Sequence, residues 1–168
     1  HLIRQGHQRV CHITERLRAL PDAESRLGGY RRALAEAGLP FDPDLVFVTE
    51  NSMEGGAAAV DRLLEPAQNS PTAAFVYNDR LAVGALARLR ERGVNVPGEF
   101  SLVGFDGLAI GAFTAPALTT IDSPREAIGR LAAETLIKAI EDGYQTGQAH
   151  RLPVRLVVRG SCGGQPAP

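Results

Sequence analysis

The polar residues best placed to do chemistry are Arg26, Asn51, Ser52, Asn78, Asp79 and Asp106. Asn51, Ser52, Asn78, Asp79 and Asp106 each follow an apolar run that reads as a strand. Arg26 lies early in the helix after the first such run. Together they offer amides, carboxylates and a guanidinium. A planar guanidinium and a carboxylate can each engage two neighbouring hydroxyls at once, which suits a polyol or sugar. Each residue also has a plainer reading. Asn51, Ser52, Asn78 and Asp79 can cap helices by accepting from orphan N–H groups. Asp106, in Phe105-Asp106-Gly107, can be a turn former. Arg26 near a helix start opposes the dipole unless Glu24 or another carboxylate offsets it. Spacing alone leaves both readings open.

Nothing in the chain reads as a catalytic motif. There is no G-x-S-x-G, no G-x-x-x-x-G-K-[ST], and no G-x-G-x-x-G following a strand. The histidines at 1, 7, 12 and 150 show no metal-ligand spacing and read as structural or surface residues. Cys11 lies in an apolar run, as a small buried hydrophobe would, and Cys162 lies in a Gly-rich tail. Two distant thiols make no disulfide framework and favour a reducing, cytoplasmic setting. The expectation is a non-enzyme with no metal and no cofactor.

The elements that must position these residues alternate in type. Val10 to Thr14, Leu45 to Thr49, Thr72 to Tyr77, Ser101 to Phe105 and Leu118 to Ile121 read as short buried strands. Asp22 to Ala37 places Leu27, Tyr30, Leu34 and Ala37 at helical spacing, with Gly38 as its stop. Asn51-Ser52-Met53-Glu54 is a cap signal for a helix running to about Glu65. Asn78-Asp79 opens a helix carrying Leu81, Ala85 and Leu89 on one face and ending at Gly93. Ser123-Pro124-Arg125-Glu126 reads as a capping box with Pro at the first helical position. That helix runs to Asp142 with Ile128, Ala132, Leu136 and Ile140 in a row, and Gly143 stops it. Leu152 to Val158 alternates, with Leu152, Val154, Leu156 and Val158 facing one way, and a mobile tail follows from Gly160. Strands alternating with helices imply right-handed βαβ units, so the fold class is α/β with a mostly parallel sheet and helices on both faces. Ligands in such sheets bind beyond the carboxyl ends of the strands, where the polar residues fall.

The chain has 168 residues, 44% of them hydrophobic and 22% charged, with a formal net charge of -1. That composition excludes a disordered chain and lacks the basic excess of a nucleic-acid-gripping surface. No apolar run approaches the ~18 residues of a membrane-spanning helix. The opening His1-Leu2-Ile3-Arg4-Gln5-Gly6-His7 lacks an initiator Met and a leader, and reads as the middle of something longer.

Taken in order, a set of short segments resembles the effector-binding core of LacI/GalR-type bacterial transcription repressors. His1-Leu2-Ile3 with Gly6-His7-Gln8-Arg9-Val10 is similar to the family's "hLi..GHrrI". Arg26-Leu27-Gly28-Gly29-Tyr30 with Ala33-Leu34 is similar to "R..Gy..AL". Pro71-Thr72-Ala73 through Asn78-Asp79, with Ala82 and Gly84-Ala85, follows "pTAi...ND..A.Ga". Gly93, Val96-Pro97 and Ser101 to Asp106 follow "G..vP.disvvGfD". Pro116 with Leu118 to Ile121 follows "P.lTTv", and Leu156 to Ser161 the closing "LvvR.S". The ordered set spans nearly the whole chain.

The resemblance implies a type I periplasmic-binding-protein-like fold, in which two α/β subdomains close on a small ligand. It divides the chain into a carboxy-side effector-binding subdomain (1–122), a segment returning to the amino-side subdomain (123–150), and a final strand with a mobile tail (151–168). It places Arg26, Asn78 and Asp106 on the effector. Asn51 falls where some relatives carry a stacking aromatic, and Arg125 at another cleft position, so the ligand is a sugar or sugar derivative that could be anionic. It implies a homodimer through the helix bearing Leu81 and the loop bearing Leu108, Ile110 and Phe113. Operator DNA would be reached only through a head domain absent from this chain, and no membrane is involved. The helix from 123 to 142 would lack its usual packing surface, and so would pack on another copy, swap or be poorly ordered. The chain alone would bind its effector weakly, lacking most of one cleft wall. The alternative is a periplasmic sugar-binding protein of a transport system, which shares the fold.

Overall fold

Short β-rich apolar runs separated by capped helices have a single economical solution, a parallel sheet with helices on its faces. The computed structural model, which describes residues 1–15, 21–65, 70–141 and 149–163, adopts it. In chain order the elements are β1 (Val10–Thr14), α1 (Pro21–Glu36), β2 (Val46–Val48), α2 (Met53–Leu63), β3 (Ala73–Val76), α3 (Asp79–Glu91), β4 (Ser101–Asp106), β5 (Thr119–Asp122), α4 (Arg125–Glu141) and β6 (Arg155–Val157). They form one six-stranded sheet in the order β2-β1-β3-β4-β5-β6. All pairings are parallel except β5 with β6, where Ile121 faces Leu156. β1 lies inside the sheet, between β2 and β3, and is buried along its whole length, His12 and Thr14 included.

Strand alternation splits the core in two. Cys11, Ile13, Ala74, Val76 and Leu102 pack with Val60, Leu63, Leu81, Ala85 and Leu89 of α2 and α3. Val10, Ala73 and Val103 face the other way, onto Leu27, Tyr30 and Leu34 of α1. α2 and α3 cross with their backbones nearly touching. A Cβ on Gly84 would collide with the Met53 carbonyl, and one on Gly56 with the Leu81 carbonyl. Complete burial pushes the Cys11 thiol up to about 12, so it behaves as a hydrophobe. His7 bonds Thr72 Oγ1 and the Gly163 carbonyl, and His12 bonds the Phe75 carbonyl, so both are core histidines.

The structure departs from the sequence expectations at several places. β6 covers only residues 155–157, and Val154 and Val158 are exposed rather than sharing a buried face with Leu152 and Leu156. The edge position explains this: β6 has β5 as its sheet neighbour, and Pro153 has no N–H to pair. The tail is fixed where it is described. Ser161 is fully buried, donating to the Leu102 carbonyl at 2.6 Å and accepting from the Thr119 N–H at 2.8 Å. Residues 164–168, and the expected stop at Asp142 and Gly143, lie outside the described residues. Ser52, not Asn51, caps α2, accepting from the Gly55 N–H. α4 forms but buries none of its residues, leaving Ile128, Leu136, Ile137 and Ile140 exposed.

Candidate functional site

β1, β3 and β4 run parallel, so their carboxyl ends open on the same edge of the sheet. Arg26 reaches this edge from the second turn of α1. Its guanidinium donates to the Tyr77 carbonyl at 2.5 Å. It lies 3.6 Å from the Asp22 carboxylate and 3.9 Å from that of Asp106. It is also stacked between two rings, with its carbon 4.2 Å from the Tyr77 centroid and 4.0 Å from that of Phe105. Asp22, four residues earlier on the same helix, supplies the charge that offsets the dipole. The side chain is 17% exposed, so this cation is locked in place with a small part of it open to solvent.

Asp106 ends β4 in an unusual conformation. Its φ is 111°, the only positive value at a non-glycine among the described residues, and Gly107 follows at 70°. Such a backbone costs on the order of 1–3 kcal/mol and persists only where its surroundings enforce it. Here Arg125 donates to the carbonyls of both Asp106 and Gly107. Burial raises the Asp106 carboxyl above its usual range, and the Arg26 and Arg125 guanidinium groups pull it back.

Asn78 is both a cap and a site residue. Its Oδ1 accepts from the Leu81 N–H at 2.9 Å, closing the first turn of α3. Its amide nitrogen donates to Asn51 Oδ1 at 2.8 Å. Asn51 is exposed, released from capping by Ser52. The structure thus gathers Arg26, Asp106, Asn78, Asn51 and Arg125 at this edge. Arg125 reaches it only with a guanidinium occupied by backbone carbonyls.

Sequence reasoning missed Tyr77, Phe105 and Asp22. Tyr77 supplies a ring, a carbonyl and a hydroxyl that donates to Asp22 at 2.6 Å; burial is the main cause of the raised pKa of that phenol. Tyr77 and Phe105 read as ordinary strand hydrophobes; their adjacency to Asn78 and Asp106 was the available signal. The charges balance locally. Arg26 sits between Asp22 and Asp106, and Asp122 pairs with Arg155 at 3.1 Å. Arg125 bonds backbone carbonyls rather than a carboxylate and so adds a further cation to this edge. Chemically the edge presents hydrogen-bond donors and acceptors suited to hydroxyl groups. Beside it, between α1 and the sheet, lies an open apolar groove of about 710 Å³ bordered by Tyr30, Phe75, Val103 and Leu156.

The expected dimer residues divide. Ile110 and Phe113 are exposed, Phe113 by 83%, and Leu108 is half-buried. Leu81 is a correction: its side chain is fully buried in the chain's own core against the sheet and cannot reach a partner. The i, i+4 row Leu81, Ala85 and Leu89 is the inward face of α3, so its outward face would have to carry any contact.

Residues 1–162 match the family described as periplasmic binding protein-like domain. The repressor PurR of Aliivibrio salmonicida is 32% identical over 161 residues, covering 96% of this chain and 48% of that protein. The regulator GalR of Salmonella typhimurium is 43% identical over 134 residues, covering 80% of this chain and 39% of that protein. A LacI-family transcriptional regulator from Enterococcus faecium, solved with bound ribose, superposes with a TM-score of 0.86 at 30% identity. It covers 99% of this chain, which matches 60% of it. The chain therefore spans about half the length of these relatives.

Proposed function

Because the chain belongs to the periplasmic-binding-protein-like domain family, in the form carried by LacI/GalR-type transcriptional regulators, we propose that it is the ligand-sensing and dimerisation core of a cytoplasmic DNA-binding repressor. The observation that carries this is the convergence of Arg26, Asn78 and Asp106 on one sheet edge, each held by independent contacts. A fixed guanidinium beside a carboxylate and an amide is preorganised for adjacent hydroxyls. The ligand we assign is a neutral sugar or sugar derivative, in keeping with the two carboxylates that flank Arg26 and with the ribose bound to the Enterococcus faecium regulator. Effector binding would bias two arrangements of a dimer and so alter operator affinity. Operator contact belongs, in this reading, to a part of the regulator outside these 168 residues. The likeness to repressors favours this role over that of a periplasmic carrier, and no enzymatic step is assigned.

The dimer contact we assign is the loop carrying Leu108, Ile110 and Phe113, since the exposed Ile110 and Phe113 side chains clustered on one turn are a feature of interaction surfaces. Calorimetry against ribose, other neutral pentoses and hexoses, and their phosphates tests the ligand class. A neutral sugar is expected to bind at least 10-fold more tightly than its phosphate. A preference for the phosphate would overturn the neutral assignment.

A further inference from the structure

Asp79 lies beside Asn78 in sequence, yet its side chain turns away from the open edge and is completely buried. A buried carboxylate is costly unless its oxygens are satisfied, and here both are. Oδ2 accepts from the Leu108 N–H at 2.6 Å, and Oδ1 accepts from the Thr120 hydroxyl at 2.6 Å. The Thr120 hydroxyl in turn accepts from the Gly107 N–H at 3.4 Å. The two amides that follow Asp106 are therefore tied, one directly and one through Thr120, to a single carboxylate. The sheet makes room for it. A Cβ on Gly104 would strike Asp79 Oδ1, so the glycine two residues before Asp106 is the slot through which the carboxylate reaches β5.

We propose that Asp79 is a positioning residue for the effector site, holding the Asp106–Gly107 turn in its positive-φ conformation from inside the fold while Arg125 clamps the same turn from outside. Asp106 at φ 111° is the strained member, and in this conformation its carboxylate lies 3.9 Å from the Arg26 guanidinium. Without the inner tie, the turn relaxes and that carboxylate swings off the sheet edge. The same tie fixes the start of the loop bearing Ile110 and Phe113, so one carboxylate sets both the ligand-facing and the interface-facing ends of this segment. The proposal rests on reading the sheet edge as a sugar site.

The test compares wild type with Asp79→Asn, Thr120→Val and Thr120→Ser, using ribose as the probe and amide exchange at Leu108 as a ligand-free readout. Asn presents an NH₂ where the carboxylate accepted, Val removes the hydroxyl bridge, and Ser restores it. The expected result is a Kd for ribose raised at least 10-fold in Asp79→Asn and Thr120→Val, and within twofold of wild type in Thr120→Ser. Exchange at the Leu108 amide is expected to be at least 10-fold faster in Asp79→Asn. Wild-type affinity in a folded Asp79→Asn, or equal losses in Thr120→Val and Thr120→Ser, would overturn it. If Asp79→Asn fails to fold, the Thr120 pair carries the comparison alone. If wild type binds no sugar, the sugar reading fails separately, and the exchange rate still decides: unchanged protection at Leu108 in Asp79→Asn overturns the proposal.

Discussion

Lowering the pH should attack the sheet through His12. Its ring is fully buried and stacked between Tyr30 and Phe75, at centroid distances of 5.5 and 4.9 Å. Nδ1 donates to the Phe75 carbonyl at 2.9 Å, so Nε2 is the bare nitrogen, and it has no partner among the described residues. Protonating it would place a charge and an unpaired N–H inside the core. Burial accordingly lowers the group from the ordinary 6.5 to about 4. A folded-state pKa below the unfolded value means that the unfolded chain takes up the proton first. The contribution is complete above pH 6.5 and is lost as the pH falls towards 4. Linkage gives a loss of about 2 kcal/mol between pH 7 and pH 5, approaching ~3 kcal/mol by pH 4. Urea unfolding of wild type and His12→Phe at pH 7 and pH 5 isolates this group, because other titrating groups contribute equally to both. Wild type should lose about 2 kcal/mol more than the variant over that interval. An equal loss in both proteins would refute the assignment of a neutral, buried His12.

The α2–α3 crossing leaves no room for a methyl group at Gly84, so Gly84→Ala should cost at least ~1–3 kcal/mol, measured as a lower urea midpoint with unchanged slope. Ser161→Ala leaves the Thr119 N–H without its buried acceptor and should cost ~1–3 kcal/mol, read as a lower Tm. Phe113→Asp should convert a dimer to a monomer by light scattering with Tm unchanged within a few degrees, since this side chain touches little of its own chain.

Much of this architecture was legible in the residues. Buried strands such as Val10–Thr14 and Ser101–Asp106 are short apolar runs between turn signals, and the helices carry their core faces at i, i+4 spacing. The strand-end rule then located Asn78 and Asp106. What was not legible depends on contacts between segments distant in sequence. Nothing local marks Tyr77 and Phe105 as the two sides of a slot for Arg26, because that sandwich exists only when β3 and β4 lie side by side under α1. Leu81 packs in the chain's own core rather than at an interface, because periodicity gives a helix an apolar face without saying which body covers it. Ser161 looked like loose tail because Gly and Pro surround it, yet it bridges β4 and β5. α4 shows the reverse: its apolar row was plain, and the described chain offers it no surface.

Sugar recognition at this edge requires Arg26, Asn78 and Asp106 to engage the ligand together. Titrating the isotopically labelled chain with ribose while following backbone amide shifts addresses this, and millimolar binding suffices. Saturable shifts are predicted at Asn78, Asp106 and Gly107. They should vanish in Arg26→Met, whose apolar side chain can still fill the slot between Tyr77 and Phe105. Shifts confined to the apolar groove around Phe75 and Val103, or a titration of Arg26→Met indistinguishable from wild type, would contradict the account.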